Sequence, residues 1–339
     1  MRTFHHEPPA GSPFITPIAP PARPEPPHGG SVPKESVRVY RPGDPAKVVK
    51  NAEVIQRVLF PKVREKRLQV HPASGALWLD SGRRGGGPTP PPLVRTREAA
   101  TAFLADVRRR LAAAGGDLPA ILPDDLRMID TWAGAVGGEG RGGSTVCRFV
   151  RMLRPGSDEK LVPVFGETVE VWVDAAGEVQ AFGSTCRSLG TDTMVARLPS
   201  PDEDEPPEHR DDHEEKKMSL IYLSGDEDEH RDALCPFWIR WDDDLAVVSP
   251  ASGHSMLVQV VPTRMSGGIA VEALTIGGSG RFEYNWQAWS PLAPTEIVPL
   301  SGGSSARVGP GVWDVVVRVR DAVNDVTEKA VLRVVGTNG

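Results

Sequence analysis

The residues Gly253-His254-Ser255-Met256-Leu257 come closest to a catalytic motif in this sequence. They begin like the G-x-S-x-G elbow, in which a strand-to-helix turn exposes a nucleophilic serine. The pattern ends in Leu257 instead of glycine, and an alternating β pattern follows it where a helix is required. We therefore interpret His254 and Ser255 as structural residues and predict a protein without catalytic residues.

Three histidines raise the question of a metal site. His209 and His213 are four residues apart, as in the zinc motif H-E-x-x-H, but Arg210 occupies the position of the glutamate. The segment is acidic and interrupted by proline, and ligands on such a segment must lose conformational entropy to assemble. Weak binding of divalent ions there, with His230 contributing, stays open, but a dedicated metal site is not predicted.

Two groups of aspartates offer oxygen ligands for calcium, Asp242-Asp243-Asp244 and the pair Asp321 and Asp325. The alternative is turn formation, because aspartate side chains accept hydrogen bonds from nearby backbone N–H groups. We assign no metal ligand to either group.

Trp238, Trp241 and Trp289 offer either a platform on which a sugar ring stacks or ordinary core residues. The sequence contains no C-x-x-C pair, no P-loop and no G-x-G-x-x-G after a strand. We therefore predict no cofactor.

The composition narrows the class of protein. The chain has 339 residues, a net charge of −6 and only three cysteines. The acidic balance argues against a nucleic-acid partner, which would need a basic face. No apolar run approaches the length of a membrane span, no apolar core of a Sec signal peptide follows Met1, and three cysteines do not make a disulfide scaffold. We therefore expect a soluble protein.

Two segments lack apolar residues to bury. Residues 1–36 contain ten prolines, which predicts a disordered arm or, alternatively, a docking strap that orders on a partner. Residues 201–215 contain nine acidic residues, which predicts a solvated insert.

Residues 40–245 combine helical and strand patterns. Asp44-Pro45 opens a helix that ends before Pro61, and Thr96 caps a second helix over 97–114. Strands at 144–153, 161–173 and 177–188 form a meander, with a turn at 174–177. The sequence therefore predicts an α+β domain with helices on an antiparallel sheet.

The meander separates two cysteines. Cys186 is expected opposite about Phe165, and Cys147 opposite about Gly166 or Glu167, on the first and third strands. Strands two apart lie about 9–10 Å from each other, whereas a disulfide needs Cα atoms within about 7 Å. We therefore predict that Cys147 and Cys186 are not bonded to each other.

Residues 250–339 read as an all-β sandwich. Short alternating strands are separated by Gly, Ser, Pro and Asn turns. Phe282, Tyr284 and Trp286 share one face of their strand, and Trp313 begins an apolar face that continues through Val319. We expect these two apolar faces to meet and to bury both Trp286 and Trp313.

The C-terminal pattern resembles the PKD and related Ig-like domains. Such domains carry a Tyr-x-Trp strand, matched here by Tyr284-Asn285-Trp286, and a later alternating valine strand that ends in aspartate, matched by Trp313 through Asp321. The resemblance covers about 255–337 and implies a non-enzymatic spacer or binding module that is usually extracytoplasmic.

Residues about 64–242 resemble the PepSY and thermolysin-propeptide domains. The resemblance rests on the helix 99–104, on the strand from Val162 to Asp174, and on the turn through Gly177. Strands at Leu220–Leu223 and Pro236–Trp241 would continue the sheet. The resemblance implies a helix on a curved antiparallel sheet, and a protein that inhibits, chaperones or regulates proteases.

Taken together, the sequence predicts a non-catalytic structural or protein-binding component of a larger assembly, whose partner is another protein. A regulator of a protease, as inhibitor or chaperone, is the first alternative, and a secreted carbohydrate-binding or accessory protein is the second. The cellular compartment stays open, because both resembled families are usually extracytoplasmic and no Sec signal is seen.

Overall fold

The computed structural model describes residues 15–17 and 36–336, apart from gaps at 66, 73, 82–92, 116–120, 135–143, 157–158, 201–217, 225–232, 243–244 and 266. Three helices are present in this part of the chain: α1 Pro45–Lys50, α2 Ala52–Leu59 and α3 Leu93–Ala114. The strands in chain order are β1 Ile15–Pro17, β2 Ser36–Pro42, β3 Gln69–Val70, β4 Leu77–Asp80, β5 Leu126–Gly134, β6 Ser144–Leu153, β7 Val162–Asp174, β8 Val179–Ser184, β9 Leu189–Ala196, β10 Ser219–Leu223, β11 Cys235–Asp242, β12 Leu245–Pro250, β13 Met256–Met265, β14 Gly268–Gly277, β15 Phe282–Ser290, β16 Ala293–Leu300, β17 Ser305–Val308, β18 Gly311–Asp321 and β19 Val326–Gly336.

The chain divides into two compact units that do not follow chain order. The helical unit contains residues 40–192 and 222–234. The all-β unit contains residues 193–221 and 235–339, together with 1–39. The fold class predicted from sequence, α+β with an all-β sandwich in the C-terminal region, is confirmed.

The helical unit is built on an antiparallel sheet in the order β5-β6-β7-β8-β4-β3. The helices α2 and α3 share a core with one face of this sheet, and Ile55, Leu59, Val107, Val171 and Phe182 are completely or almost completely buried in it. The end of β10 also pairs with β7, but in the parallel direction, through Tyr222 and Leu223. The sheet therefore differs from the purely antiparallel arrangement that the PepSY resemblance implies.

The helices differ from the prediction in detail. The first predicted helix is interrupted at Asn51, which closes α1 and opens α2. Asp44 does cap it, since its carboxylate accepts a hydrogen bond of 2.8 Å from the N–H of Ala46. Thr96 is not a cap, because α3 already begins at Leu93, directly after a run of prolines, and Thr96 is buried inside the helix.

The predicted meander is confirmed, with β7 between β6 and β8. Gly177 adopts a φ of +84° in the turn, as only glycine does readily. The predicted partner of Cys147 on the middle strand was wrong. Cys147 pairs with Val171 of β7, four residues beyond Glu167, which was the nearer of its two expected partners. The loop of 154–160 and a register shift near Met152 displace β6. Cys147 and Cys186 are buried free thiols, as predicted, and so is Cys235.

The sandwich of the all-β unit has two sheets, β13-β14-β17 and β16-β15-β18-β19. Trp286 is 2% exposed, as expected, and lies opposite Val317. The strands of Trp286 and Trp313 were expected to face each other across the sandwich. This expectation was wrong, because these strands, β15 and β18, are hydrogen-bonded neighbours in one sheet. Trp313, near the start of β18, is only half-buried, and its indole N–H donates to the carbonyl of Pro310.

The two segments predicted to be a disordered arm and a solvated insert, 1–36 and 201–215, lie almost entirely outside the described residues. This applies to the whole acidic insert 201–215 and to residues 1–14 and 18–35 of the arm. Within the arm, Ile15–Pro17 forms the strand β1, which pairs in parallel with Ala246–Val248 of β12 and so is not disordered.

Candidate functional site

Ser255 lies at the entry of β13 and is completely buried. Its hydroxyl donates to the carbonyl of Pro236 and lies 2.9 Å from the hydroxyl of Ser252. The carbonyl of His254 accepts a hydrogen bond from the thiol of Cys235. A buried serine held by a backbone carbonyl is not presented to a substrate, so the structural interpretation of this motif stands.

Asp321 organises a turn. It is completely buried, and its carboxylate accepts hydrogen bonds from the N–H and hydroxyl of Ser279 and from the N–H groups of Val323 and Asn324. Burial alone would raise the pKa of Asp321, but these hydrogen bonds together hold it below its usual value. Asp325, at a φ of +52°, pairs with Arg320. Turn formation therefore accounts for this pair of aspartates.

The remaining candidate metal ligands, to which no site was assigned from the sequence, lie almost entirely outside the described residues. Asp242 ends β11 opposite Leu245, while Asp243, Asp244 and all three histidines of the acidic segments lie outside the described residues. No cluster of three metal-ligating side chains occurs among the residues that the structure describes. In the same part of the chain, we find no helix with the length and apolarity to cross a bilayer.

Trp238 is closed to a stacking ligand. Trp238 is 5% exposed, the guanidinium of Arg197 lies 4.7 Å from its ring centre, and its N–H donates to the carbonyl of Leu198. Trp289 is half-buried on β15. Trp238 is thus a core residue, the other possibility that the sequence left open.

A buried ion pair crosses from β6 to β7 in the helical unit. Arg151 Nη1 lies 2.6 Å from Glu167 Oε2 and also donates to the carbonyl of Arg187 at 2.7 Å. The hydroxyl of Ser224 lies 3.4 Å from the other carboxylate oxygen. The side chains of Arg151 and Glu167 are 5% and 0% exposed, so this pair is closed to ligands and acts in the fold.

The best candidate for a binding site is a cavity of about 390 Å³ in the helical unit, which we call the α2–α3 groove. Its volume lies in the range of small-ligand and side-chain pockets. Apolar side chains line most of it, and charged side chains stand around them. The lining residues are Leu59, Phe60, Pro61, Lys62, Val63, Phe103, Asp106, Arg110, Glu178 and Val179.

Aromatic packing shapes the floor of the α2–α3 groove. The rings of Phe60 and Phe103 lie 5.6 Å apart between centroids, and Phe103 in turn lies 6.0 Å from Phe182 of β8. The floor is therefore continuous with the core of the helical unit, and its shape is fixed by packing.

Arg110 of α3 ties the helix α2 to the groove. It donates to the carbonyls of Val58 and Leu59, the last two residues of α2, which lack partners within that helix. Its Nη2 atom lies 2.6 Å from Asp106. The hydrogen bond from Arg109, assisted by Arg110, lowers the pKa of Asp106 against a smaller effect of desolvation. Asp106 is thus ionised and its charge is neutralised from its own helix.

Two further polar side chains hold the walls. Gln56, which is 6% exposed, accepts hydrogen bonds from the N–H groups of Arg67 and Leu68 and donates to the carbonyl of Glu65 at 2.6 Å. It therefore fixes the chain that follows Val63. On the opposite side, Asp174 accepts a hydrogen bond of 2.9 Å from the N–H of Glu178.

One charge at the groove remains available. Lys62 is exposed and makes no hydrogen bond or ion pair with any residue in the described ranges. The lining has two carboxylates, Asp106, which Arg109 and Arg110 neutralise, and Glu178, which has contacts of its own, so Lys62 is the available charge beside the apolar floor of the α2–α3 groove. Such a site can hold an apolar side chain with a carboxylate next to it.

Sequence reasoning missed this groove. Its walls come from three separate segments, and neither motif nor periodicity connects them. The available signal was local: an aromatic residue and a proline, Phe60-Pro61, directly after the amphipathic helix α2.

The chain matches no protein-family model and no curated protein sequence. Among solved structures, it is similar to the Bacillus megaterium YpeB C-terminal domain, with 12% identity over 75% of this chain and 97% of that chain. The TM-score is 0.30, which carries no argument about function.

Proposed function

We propose that this chain is a non-catalytic, protein-binding component of a larger assembly, and that the α2–α3 groove receives its partner. The occupant is a segment of another protein that places one large apolar side chain in the groove and an acidic residue beside Lys62. The observation that carries the proposal is the preformed apolar floor of Phe60 and Phe103 next to an available cation.

The groove suits binding because it needs no rearrangement. Arg110 holds the end of α2, Gln56 holds the chain beyond it, and Asp174 holds the β7–β8 turn. A site that is ordered before binding loses little entropy when the partner arrives. The exposed side chains of Pro61 and Lys62 contribute to the groove without contributing to the core, so they can be changed without disturbing the fold.

The test compares charge reversals inside and outside the groove. The full chain is purified from its native source in three forms: unchanged, with Pro61→Glu and Lys62→Glu, and with Lys50→Glu. Lys50 is an exposed lysine at the end of α1, so Lys50→Glu controls for reversing the charge of one surface lysine, which is two of the three units of charge that the groove variant changes. The protein that accompanies the chain at fixed stoichiometry is identified by mass spectrometry and its affinity is remeasured with both purified proteins.

We expect the groove variant to weaken the affinity of the purified pair by at least tenfold and the Lys50→Glu variant to leave it within twofold. Equal affinities for all three forms would refute the groove as the binding site. If the partner is a protease whose activity changes on binding, the regulatory alternative replaces the structural one.

The non-catalytic part of the proposal has its own test. Any activity found in the purified chain should survive His254→Ala and Ser255→Ala. A loss of more than about tenfold with the fold preserved, or about 1.4 kcal/mol in the barrier, would contradict it.

A further inference from the structure

The two sheets of the all-β unit contact each other extensively on one side of the sandwich, which we call the closed side, and much less on the other, which we call the open side. On the closed side, β13 of the three-stranded sheet contacts β19 of the four-stranded sheet. On the other side, the edge strands are β17, with four residues, and β16, with eight. Among the described strands, β17 pairs only with β14, and β16 pairs only with β15.

The floor of this open side is an apolar strand face that the three-stranded sheet does not cover. Val298 of β16 pairs with Ala288 of β15, so both side chains point to the inside of the sandwich. Ala288 is completely buried, whereas Val298 is 43% exposed. A cavity of about 460 Å³ begins at the two residues that follow Val298 on β16; it is lined by Ala270, Pro299, Leu300, Ser301, Ser305, Ala306 and Arg307.

The two edges differ in their ability to accept another strand. β16 contains Pro294 and Pro299, which have no N–H to donate and so blunt that edge. β17 contains no proline, and every second residue of an edge strand directs its N–H and C=O groups away from its neighbour. The loop between the two strands is anchored, since the indole N–H of Trp286 donates to the carbonyl of Gly303 at 2.9 Å.

A charge beside β17 indicates what the added strand would carry. Arg307 is exposed and makes no hydrogen bond or ion pair with any residue that the structure describes. An acidic side chain directly opposite it on a neighbouring strand would form a favourable cross-strand pair. Side chains on the other face of that strand would cover Val298 and must be apolar.

We propose that the β17 edge is a strand-acceptor site, at which an extended segment of a partner protein becomes the fourth strand of the three-stranded sheet. The segment alternates apolar residues, which face Val298, with polar residues that include an acidic one opposite Arg307. This site belongs to the all-β unit and does not depend on the α2–α3 groove.

The experiment uses the full chain and two fluorescein-labelled nine-residue peptides. Both alternate valine with threonine or serine, and they differ only in a central glutamate or a central lysine. We expect saturable binding of the glutamate peptide, measured by fluorescence anisotropy, and weaker binding of the lysine peptide. Hydrogen exchange should show new protection at residues 305–308 and none at β19.

Three variants locate the site. Val298→Lys should weaken binding at least tenfold, whereas Val331→Lys, at a valine of similar exposure on β19, should leave it within twofold. Arg307→Glu keeps the floor intact and should reverse the preference between the two peptides. Absence of saturable binding, protection at another edge, or equal effects of the two lysine substitutions would overturn the proposal. So would self-association of the chain through residues 305–308, which would make a second copy the occupant.

Discussion

Glu167→Gln removes one charge from the buried pair with Arg151 while keeping the size and hydrogen-bonding capacity of the side chain. The pair is almost completely removed from water, and Arg151 also donates to the carbonyl of Arg187. The substitution leaves the guanidinium buried without a counter-charge. Removing one partner of a buried ion pair destabilises proteins by about 3–5 kcal/mol, and we expect a loss in that range for the helical unit.

A second pair on the same two strands provides the control. Arg148 of β6 and Glu170 of β7 lie 2.9 Å apart, but their side chains are 35% and 14% exposed. Solvent screens this pair, so Glu170→Gln should cost less than about 1 kcal/mol. Residue types, strands and chemical change are the same in the two experiments, while burial differs, and with it the additional contacts of Arg151 to the carbonyl of Arg187 and of Glu167 to Ser224.

Hydrogen exchange of peptides from 144–174 measures the effect in the full chain without interference from the all-β unit. A loss of about 3 kcal/mol increases the exchange rate of the most protected amides by more than about a hundredfold. Equal rates in the two variants would refute the argument that burial decides the contribution. A third variant, Arg151→Met with Glu167→Leu, should recover most of the lost stability, because it leaves no charge without a partner.

Three further predictions concern the core, pH and the thiols. Trp286→Ala should destabilise the all-β unit by about 3–5 kcal/mol. Trp313→Ala should cost about half as much, because the indole of Trp313 is half-exposed. Hydrogen exchange at β15 measures both losses, and equal losses would contradict the assigned burial. Because the pKa of Asp321 is lowered in the folded state, its contribution to the free energy of unfolding is complete above the unfolded pKa of about 4 and is lost as the pH falls through the folded pKa. The stability of the Asp321→Asn variant should therefore fall less steeply with acid than that of the unchanged protein. Equal pH dependence in the two proteins would contradict the role of Asp321 in the turn. Burial raises the pKa of the Cys147 and Cys186 thiols, and Cys235 is buried as well. A thiol reagent should therefore label all three cysteines only after denaturation, and no reductant should be needed. A cross-link between Cys147 and Cys186 in the native protein would contradict the meander.

Local chemistry allowed the sequence to predict the turn and capping residues well. The Asp174–Gly177 turn and the Asp44 cap depend on contacts within a few residues, which the sequence displays directly. Thr96 was misassigned because a threonine before an apolar stripe is equally compatible with the interior of a longer helix. In the sequence, the start of α3 at Leu93 directly follows a run of prolines, which is the signal that the threonine concealed.

Strand neighbours were harder to predict than strands. The alternation in β15 and β18 identified both strands and the buried side of Trp286, but alternation does not say whether two apolar strands lie side by side or face to face. The strands β16 and β17 were missed, because two prolines interrupt the first and the second has only four residues. Both belong to the side of the sandwich that we propose accepts a strand.

The α2–α3 groove could not be predicted because it depends on long-range contacts. Arg110 reaches the carbonyl of Val58, 52 positions earlier, and Phe103 contacts Phe182 across the sheet. Nothing in the types or spacing of these residues distinguishes them from ordinary helix-surface and core positions.

The non-contiguous helical unit has a consequence for synthesis of the protein on the ribosome. One of its clusters needs residues from distant points of the chain: Tyr40, Val164, Tyr222 and Leu234 pack together, and the rings of the two tyrosines lie 5.5 Å apart. The 42 positions from Asp192 to Leu234 take about 2–8 s to translate at ordinary rates. Until the end of that interval Val164, which is completely buried in the finished fold, lacks Leu234, and for the first 30 of the 42 positions it lacks Tyr222 as well. The nascent chain therefore passes through a defined period in which this apolar surface is open to chaperones or to other nascent chains.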